Sequence, residues 1–149
     1  MSTQPKKVVT DAPWIDLTYR IIGLAMELHN ELGPGHRESV YHNGMVIKLQ
    51  GVGRPFESEP YIPVTLADGT VVKGQCPDLF VRQMVIVELQ AHVYTMSRDE
   101  QAKVIGYFAA LPESPVALYL HFGRPRLEIH RLFPPTTVQA YRRERWGNG

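Results

Sequence analysis

The chain has 149 residues, 44% of them hydrophobic, enough for one domain to bury a core without metals or disulfides to hold it together. Sixteen Lys and Arg against fifteen Asp and Glu leave a formal net charge of +1, which argues against a protein that grips nucleic acid over a broad basic surface but allows a local basic rim. A single cysteine, Cys76, excludes an intramolecular disulfide framework and a cysteine-rich zinc centre. The six histidines lack zinc-finger or His-Glu-x-x-His spacing and read mainly as surface or capping residues.

In chain order, residues 1–13 are polar and Pro-containing and read as a flexible segment. They hold no apolar core of signal-peptide length, and no later run is long enough for a membrane span, so a cytoplasmic protein without membrane contact is expected. Leu17, Ile21, Leu24, Ala25, Leu28 and Leu32 recur at helical spacing until Gly33 and Pro34 stop the helix. A second helix is predicted from about Arg37 to Gln50, closed by Gly51 and Gly53. The period then changes. PFESEPYIPVTL, the Asp68-Gly69 turn, TVVKGQCPDLFV and MVIVELQA read as a three-stranded antiparallel meander, with Pro60 and Pro63 confining its first strand to an edge or bulge. Ser97 and Glu100 form a capping box for a third helix ending near Leu111. Val116 to Phe122 and Arg126 to Phe133 make a closing strand pair, and from Pro134 the chain reads as a polar tail ending in a basic cluster. The expected organisation is one domain over residues 14–133 and a tail over 134–149. Its order is ααβββαββ, an α/β (α+β) fold in which helices flank a central mixed sheet.

One hairpin in this stretch carries chemistry. Around a polar turn at Arg82 and Gln83, Val81 should pair with Val85, Phe80 with Ile86 and Asp78 with Glu88, because the residue numbers of every pair have the same sum. That register also puts Cys76 opposite Gln90. Val85, Ile86 and Val87 are apolar at both parities, so Glu88 closes a strand buried on both faces, where an unpaired carboxylate is costly. Like charges opposite each other in a sheet call for a cation between them, and the pair therefore reads as a metal site. The competing reading is a solvated outer face of a hairpin with one wet side. By strand alternation Asp78, Glu88 and Gln90 share a face, together with Cys76 and His92, whose expected roles are structural.

Pro77-Asp78 followed by Glu88-Leu89-Gln90 resembles the Asp…Glu-x-Lys signature of the PD-(D/E)XK nuclease superfamily with its lysine replaced. GHRESVY (Gly35 to Tyr41) is similar to the G-x-x-E-x-x-Y signature of the GxxExxY protein family, a small branch of that superfamily. AMELHNELGPG, DLFVRQMVIVELQA and LHFGRPRLEIHRL resemble it in the same order, so that the likeness runs from about Leu17 to Phe133. It implies a restriction-endonuclease-like core and a metal-dependent nuclease acting on DNA or RNA. Asp78, Glu88 and Glu38 would be its metal ligands, joined by the Leu89 carbonyl, with magnesium or manganese as the ion. Glu38 alone would read equally well as a helix-start residue favoured by the macrodipole, and Tyr41 as a packing residue.

Gln90 stands where the resemblance calls for the lysine that activates the nucleophile, and a neutral amide lacks that charge. The family's following helix resembles Q-x-x-x-Y, which sets Lys103 in the glutamine's place if Tyr107 is the tyrosine. Gln90 and Lys103 would then have exchanged positions. Helical geometry speaks partly against the exchange, because a buried stripe of Val104, Ile105 and Phe108 would leave Lys103 off its centre and put Gln101 within it. Arg82, Lys73, Arg98 and the Arg142 to Arg145 cluster are candidate phosphate contacts, and a homodimer is expected if both strands of a duplex are cut. The alternative function is a catalytically impaired nuclease-fold module that binds nucleic acid or serves in protein assembly.

Overall fold

A computed structural model describes residues 12–147. The expectation of a flexible N-terminal segment falls almost wholly on residues 1–11, which lie outside the described residues. Helix α1 (Pro13–Leu32) begins with Pro at its first position and Asp16 in its first turn, both suited to a helix start. It stops at Gly33, whose φ of 68° few other residues tolerate. Helix α2 (Glu38–Gly51) buries Tyr41, Met45 and Leu49, one residue per turn. The two helices lie so close at Gly44 that an added Cβ would come within 2.6 Å of the Leu28 side chain.

The expected meander is subdivided. Strands β1 (Phe56–Ser58), β2 (Ile62–Thr65), β3 (Val71–Gln75), β4 (Leu79–Val81) and β5 (Val85–Gln90) take the place of three long ones. β2 and β3 form a separate antiparallel hairpin, while β1 returns to pair with β4. The break in the second predicted strand falls at Cys76 and Pro77, and Cys76 is exposed outside any strand rather than opposite Gln90. Pro77 has no N–H for a ladder, so the chain changes sheets there.

Helix α3 (Arg98–Ala110) opens on the expected capping box: Ser97 Oγ accepts from the Glu100 N–H at 3.1 Å, and Glu100 Oε1 accepts from the Ser97 N–H at 2.9 Å. It connects β5 to β6 (Val116–His121), and the two strands run parallel, which a short hairpin loop cannot achieve. β7 (Glu128–Leu132) pairs antiparallel with β6 and completes a five-stranded sheet of order β1-β4-β5-β6-β7. The mixed sheet flanked by helices agrees with the expected fold class.

The segment read as a polar tail contains helix α4 (Thr136–Trp146), which packs on α3. Its anchor is an arginine. The buried Arg142 donates to the carbonyls of Phe108, Leu111 and Ser114, each at 2.8 Å, and so caps the C-terminal end of α3 with a cation. The layers follow strand alternation. Leu79, Val81, Val85, Val87 and Leu89 face α1 and α2, while Phe80 and Ile86 face Val104, Tyr107 and Phe108 of α3. Among the described residues no helix is long and apolar enough to cross a membrane.

Candidate active site

The β4–β5 ladder has the predicted register, with Leu79 opposite Val87, Phe80 opposite Ile86 and Val81 opposite Val85. Beyond its last rung Asp78 and Glu88 each bond to the other's strand. The Asp78 N–H donates to Glu88 Oε1 at 3.3 Å, and the Leu89 N–H donates to Asp78 Oδ2 at 2.7 Å. Glu88 is 2% exposed, the fourth of six residues in a strand whose apolar residues are fully buried. Its second oxygen, Oε2, lies 2.7 Å from Lys103 Nζ, and the Tyr107 hydroxyl donates to Oε1 at 3.5 Å.

Lys103 therefore reaches Glu88. The buried stripe of α3 is Val104, Tyr107 and Phe108, and Ile105 is only half-buried. Substituting Tyr107 for Ile105 turns the stripe toward Lys103, one turn before Tyr107, and leaves Gln101 exposed. The objection from helical geometry fails for that reason.

Glu38 approaches from the first turn of α2. Its carboxyl is pushed above the usual range by desolvation and then by the charge of Glu88. Glu88 is raised by desolvation and by Asp78, and Asp78 by desolvation and by Glu38, while Lys103 draws all three downward. The three carboxylates thus share one electrostatic neighbourhood. Against desolvation, Glu88 holds the Lys103 ammonium above its ordinary range, with smaller help from Asp78 and Glu38. Desolvation and the Glu88 and Asp78 charges also raise Tyr107, which stays a neutral donor.

Two residues enter without having been singled out in the sequence. His42 stands one turn after Glu38 on the same face of α2, with Nδ1 3.7 Å from Asp78 Oδ1 and Nε2 2.8 Å from Ser58 Oγ. That four-residue offset from Glu38 was the available signal. Tyr107 is the other, seen before only as a spacing marker. Tyr41, by contrast, is a packing residue: fully buried and stacked on Phe122, its hydroxyl donates to the Gly33 carbonyl at 2.5 Å and accepts from the His36 N–H at 3.2 Å. It ties together the loop that leads into Glu38.

Gln90 is half-buried at the end of β5, opposite His121 on β6, and by alternation lies on the face of Glu88. Its carbonyl accepts from the Phe122 N–H at 2.8 Å. His92 is bound to the Tyr94 carbonyl and to Glu100. His29 and His121 are buried and bonded to backbone carbonyls rather than lying on the surface. Arg142 is likewise withdrawn from the phosphate-contact candidates by its three carbonyl partners.

Three carboxylates are hard oxygen donors of the type magnesium and manganese prefer, so the donor set fits a divalent ion. As arranged, however, Glu88 is engaged with Lys103, and among the described residues no three His, Cys, Asp or Glu side chains are spaced to hold an ion.

A family model described as the PD-(D/E)XK nuclease superfamily matches residues 15–132. The chain belongs to that superfamily. The superfamily is one of nucleases, and its enzymes commonly use divalent metals. Among solved structures, the crystal structure of SSO0001 is similar at 14% identity, with a TM-score of 0.53 over 72% of this chain. The chain spans 57% of that protein's length, and the likeness shows a shared fold alone. Comparison with curated proteins gives no match.

Proposed function

We propose that the chain hydrolyses phosphodiester bonds of DNA or RNA with a magnesium or manganese ion held by Asp78, Glu88 and Glu38, as a member of the GxxExxY branch. The observation that carries this reading is the 2.7 Å contact between Lys103 Nζ and Glu88 Oε2. It supports a motif lysine supplied from α3 rather than from the strand position that Gln90 occupies.

A bound divalent ion supplies Lewis-acid polarisation of a phosphoryl oxygen and a more acidic water. The chain's own groups do the rest. The Lys103 ammonium stabilises charge that builds on the phosphate oxygens, and the Gln90 amide offers an uncharged donor on the same face. Tyr107 donates to Glu88 and keeps its carboxylate oriented, while His42, braced by Ser58, does the same for Asp78. Two copies acting together would serve a duplex substrate.

Cleavage of labelled DNA and RNA with each ion tests the reading. Lys103→Ala should lower turnover at least a hundredfold while sparing magnesium-dependent thermal stabilisation, and Gln90→Lys in that background should restore part of it. Asp78→Asn with Glu88→Gln should remove the stabilisation by metal, since a ligand of the native state raises its stability by mass action. Undiminished turnover in Lys103→Ala refutes the lysine's role. A second reading, the catalytically impaired module, is favoured by the lack of a ready three-ligand set among the described residues. Absence of any heat of magnesium or manganese binding would decide for it.

A further inference from the structure

At the other end of the sheet from the carboxylates, a cleft of about 710 Å³ opens between α1 and the loop joining α2 to β1. Its walls include Tyr19, Arg20, Leu24, Val52, Arg54 and Arg82. Small organic ligands occupy cavities of roughly this size, about 300 to 1,000 Å³. Of the three guanidinium groups, Arg20 is paired with Asp16 at 3.3 Å. Among the described residues Arg54 and Arg82 have neither a carboxylate partner nor a side-chain hydrogen bond.

The backbone brings these two arginines together. Arg82 donates its N–H to the Pro55 carbonyl at 3.0 Å, which pins the β4–β5 turn beside the residue that follows Arg54. Arg82 does so at a φ of 54°, where Asn or Gly would be relaxed. A strained residue with a free charge, facing a cleft, points to function. Two carboxylates also line the cleft, Asp16 paired with Arg20 and Glu27 paired with Lys48, and the rest of the wall is largely apolar and accessible, with Tyr19 73% exposed and Val52 55%. A ring that can stack on a base and two unpaired guanidiniums that can fork onto a phosphate match the two ends of one ligand.

We propose that this cleft binds a nucleoside phosphate, free or as the 5′ end of a nucleic-acid strand. The site is distinct from the carboxylates. Helix α2 begins beside them at Glu38 and reaches the cleft with its last turn, at Leu49, roughly 16 Å of helix away. The inference therefore holds whether or not the chain cuts nucleic acid.

The test is calorimetric titration of the full chain in chelator with AMP, adenosine and short oligonucleotides with and without a 5′-phosphate. AMP should bind at least tenfold more tightly than adenosine. Arg54→Gln with Arg82→Asn should weaken AMP at least tenfold, and Asn at position 82 suits the turn, so that loss of fold does not explain the result. Asp78→Asn with Glu88→Gln should leave AMP affinity as it was. Tighter binding of the 5′-phosphorylated oligonucleotide than of AMP would identify a strand end as the source, and the reverse a free nucleotide. Equal affinity for AMP and adenosine, no AMP binding at millimolar concentration, retention in the double arginine variant, or loss in the carboxylate variant would each overturn the proposal.

Discussion

Glu88 carries a carboxylate into the buried strand β5, where an unpaired charge would drive its own protonation. Lys103 and the Asp78 N–H compensate it, yet desolvation and the Asp78 charge still raise its carboxyl. Asp78 is raised as well, by desolvation first and Glu38 next, against the pull of the Leu89 N–H. A carboxyl raised on folding stabilises the native state below its unfolded value and loses that contribution as pH rises through its folded value. At neutral pH the metal-free site is accordingly a burden on the fold. Asp78→Asn should therefore raise metal-free stability at pH 7 by on the order of 1 kcal/mol. The gain should vanish as pH falls below the ordinary carboxylate range, as read by denaturant melts in chelator. A loss of stability at every pH would mean that the Leu89 N–H bond outweighs the repulsion. Both carboxylates were legible in the sequence because a hairpin has a simple register. His42 was not, because its partner Asp78 is distant in sequence and only the fold brings α2 over the end of β4.

In the three-residue connection from β4 to β5, Arg82 to Met84, the Met84 N–H closes a turn on the Val81 carbonyl whose two central residues, Arg82 and Gln83, have φ of 54° and 56°. Both lie in the left-handed region that a type I′ turn demands and that Asn-Gly fills without strain. Gln83→Gly should stabilise the protein by about 0.5 to 1 kcal/mol by relieving that strain, visible as a higher urea midpoint with an unchanged slope. A lower midpoint would show that the Gln83 side chain makes a contribution larger than the strain. Local devices of this scale read well from sequence: the turn position, the Ser97–Glu100 box and the stop at Gly33 depend on neighbours a few residues away. Strand division reads badly. Val71 to Gln75 and Leu79 to Val81 look like one strand, and only the missing N–H of Pro77 hints that they belong to different sheets. The stripe on α3 was misjudged by one residue because Ile105 and Tyr107 are equally apolar in pattern. Tertiary packing chose Tyr107, and with it the reach of Lys103.

For the whole molecule, α4 matters more than its composition suggests. A helix of charged residues with few apolar positions reads as solvated, but Arg142 buries its guanidinium against the end of α3 and over the Phe108 ring, 5.3 Å from the centroid. Arg142→Ala would leave the Phe108 and Ser114 carbonyls buried without this donor. The expected loss is about 2 to 4 kcal/mol, measurable by thermal unfolding. Because α3 also presents Lys103 and Tyr107, the same change should loosen the candidate site. An unaltered melting temperature would mean that α4 contributes nothing to the fold. Pattern reading missed this helix because hydrophobic periodicity is blind to a charge that is buried by donating to carbonyls.

The borders of the sheet have a consequence for assembly. β1 is three residues long, preceded by Pro55 and followed by Pro60, and includes Glu57. β7 carries Glu128, His130 and Arg131 and is followed by Pro134 and Pro135. Short, charged, proline-bounded margins resist the lateral addition of another strand. A second copy recruited to a duplex would meet this one through helices or loops, leaving the sheet a closed unit that does not template its own growth.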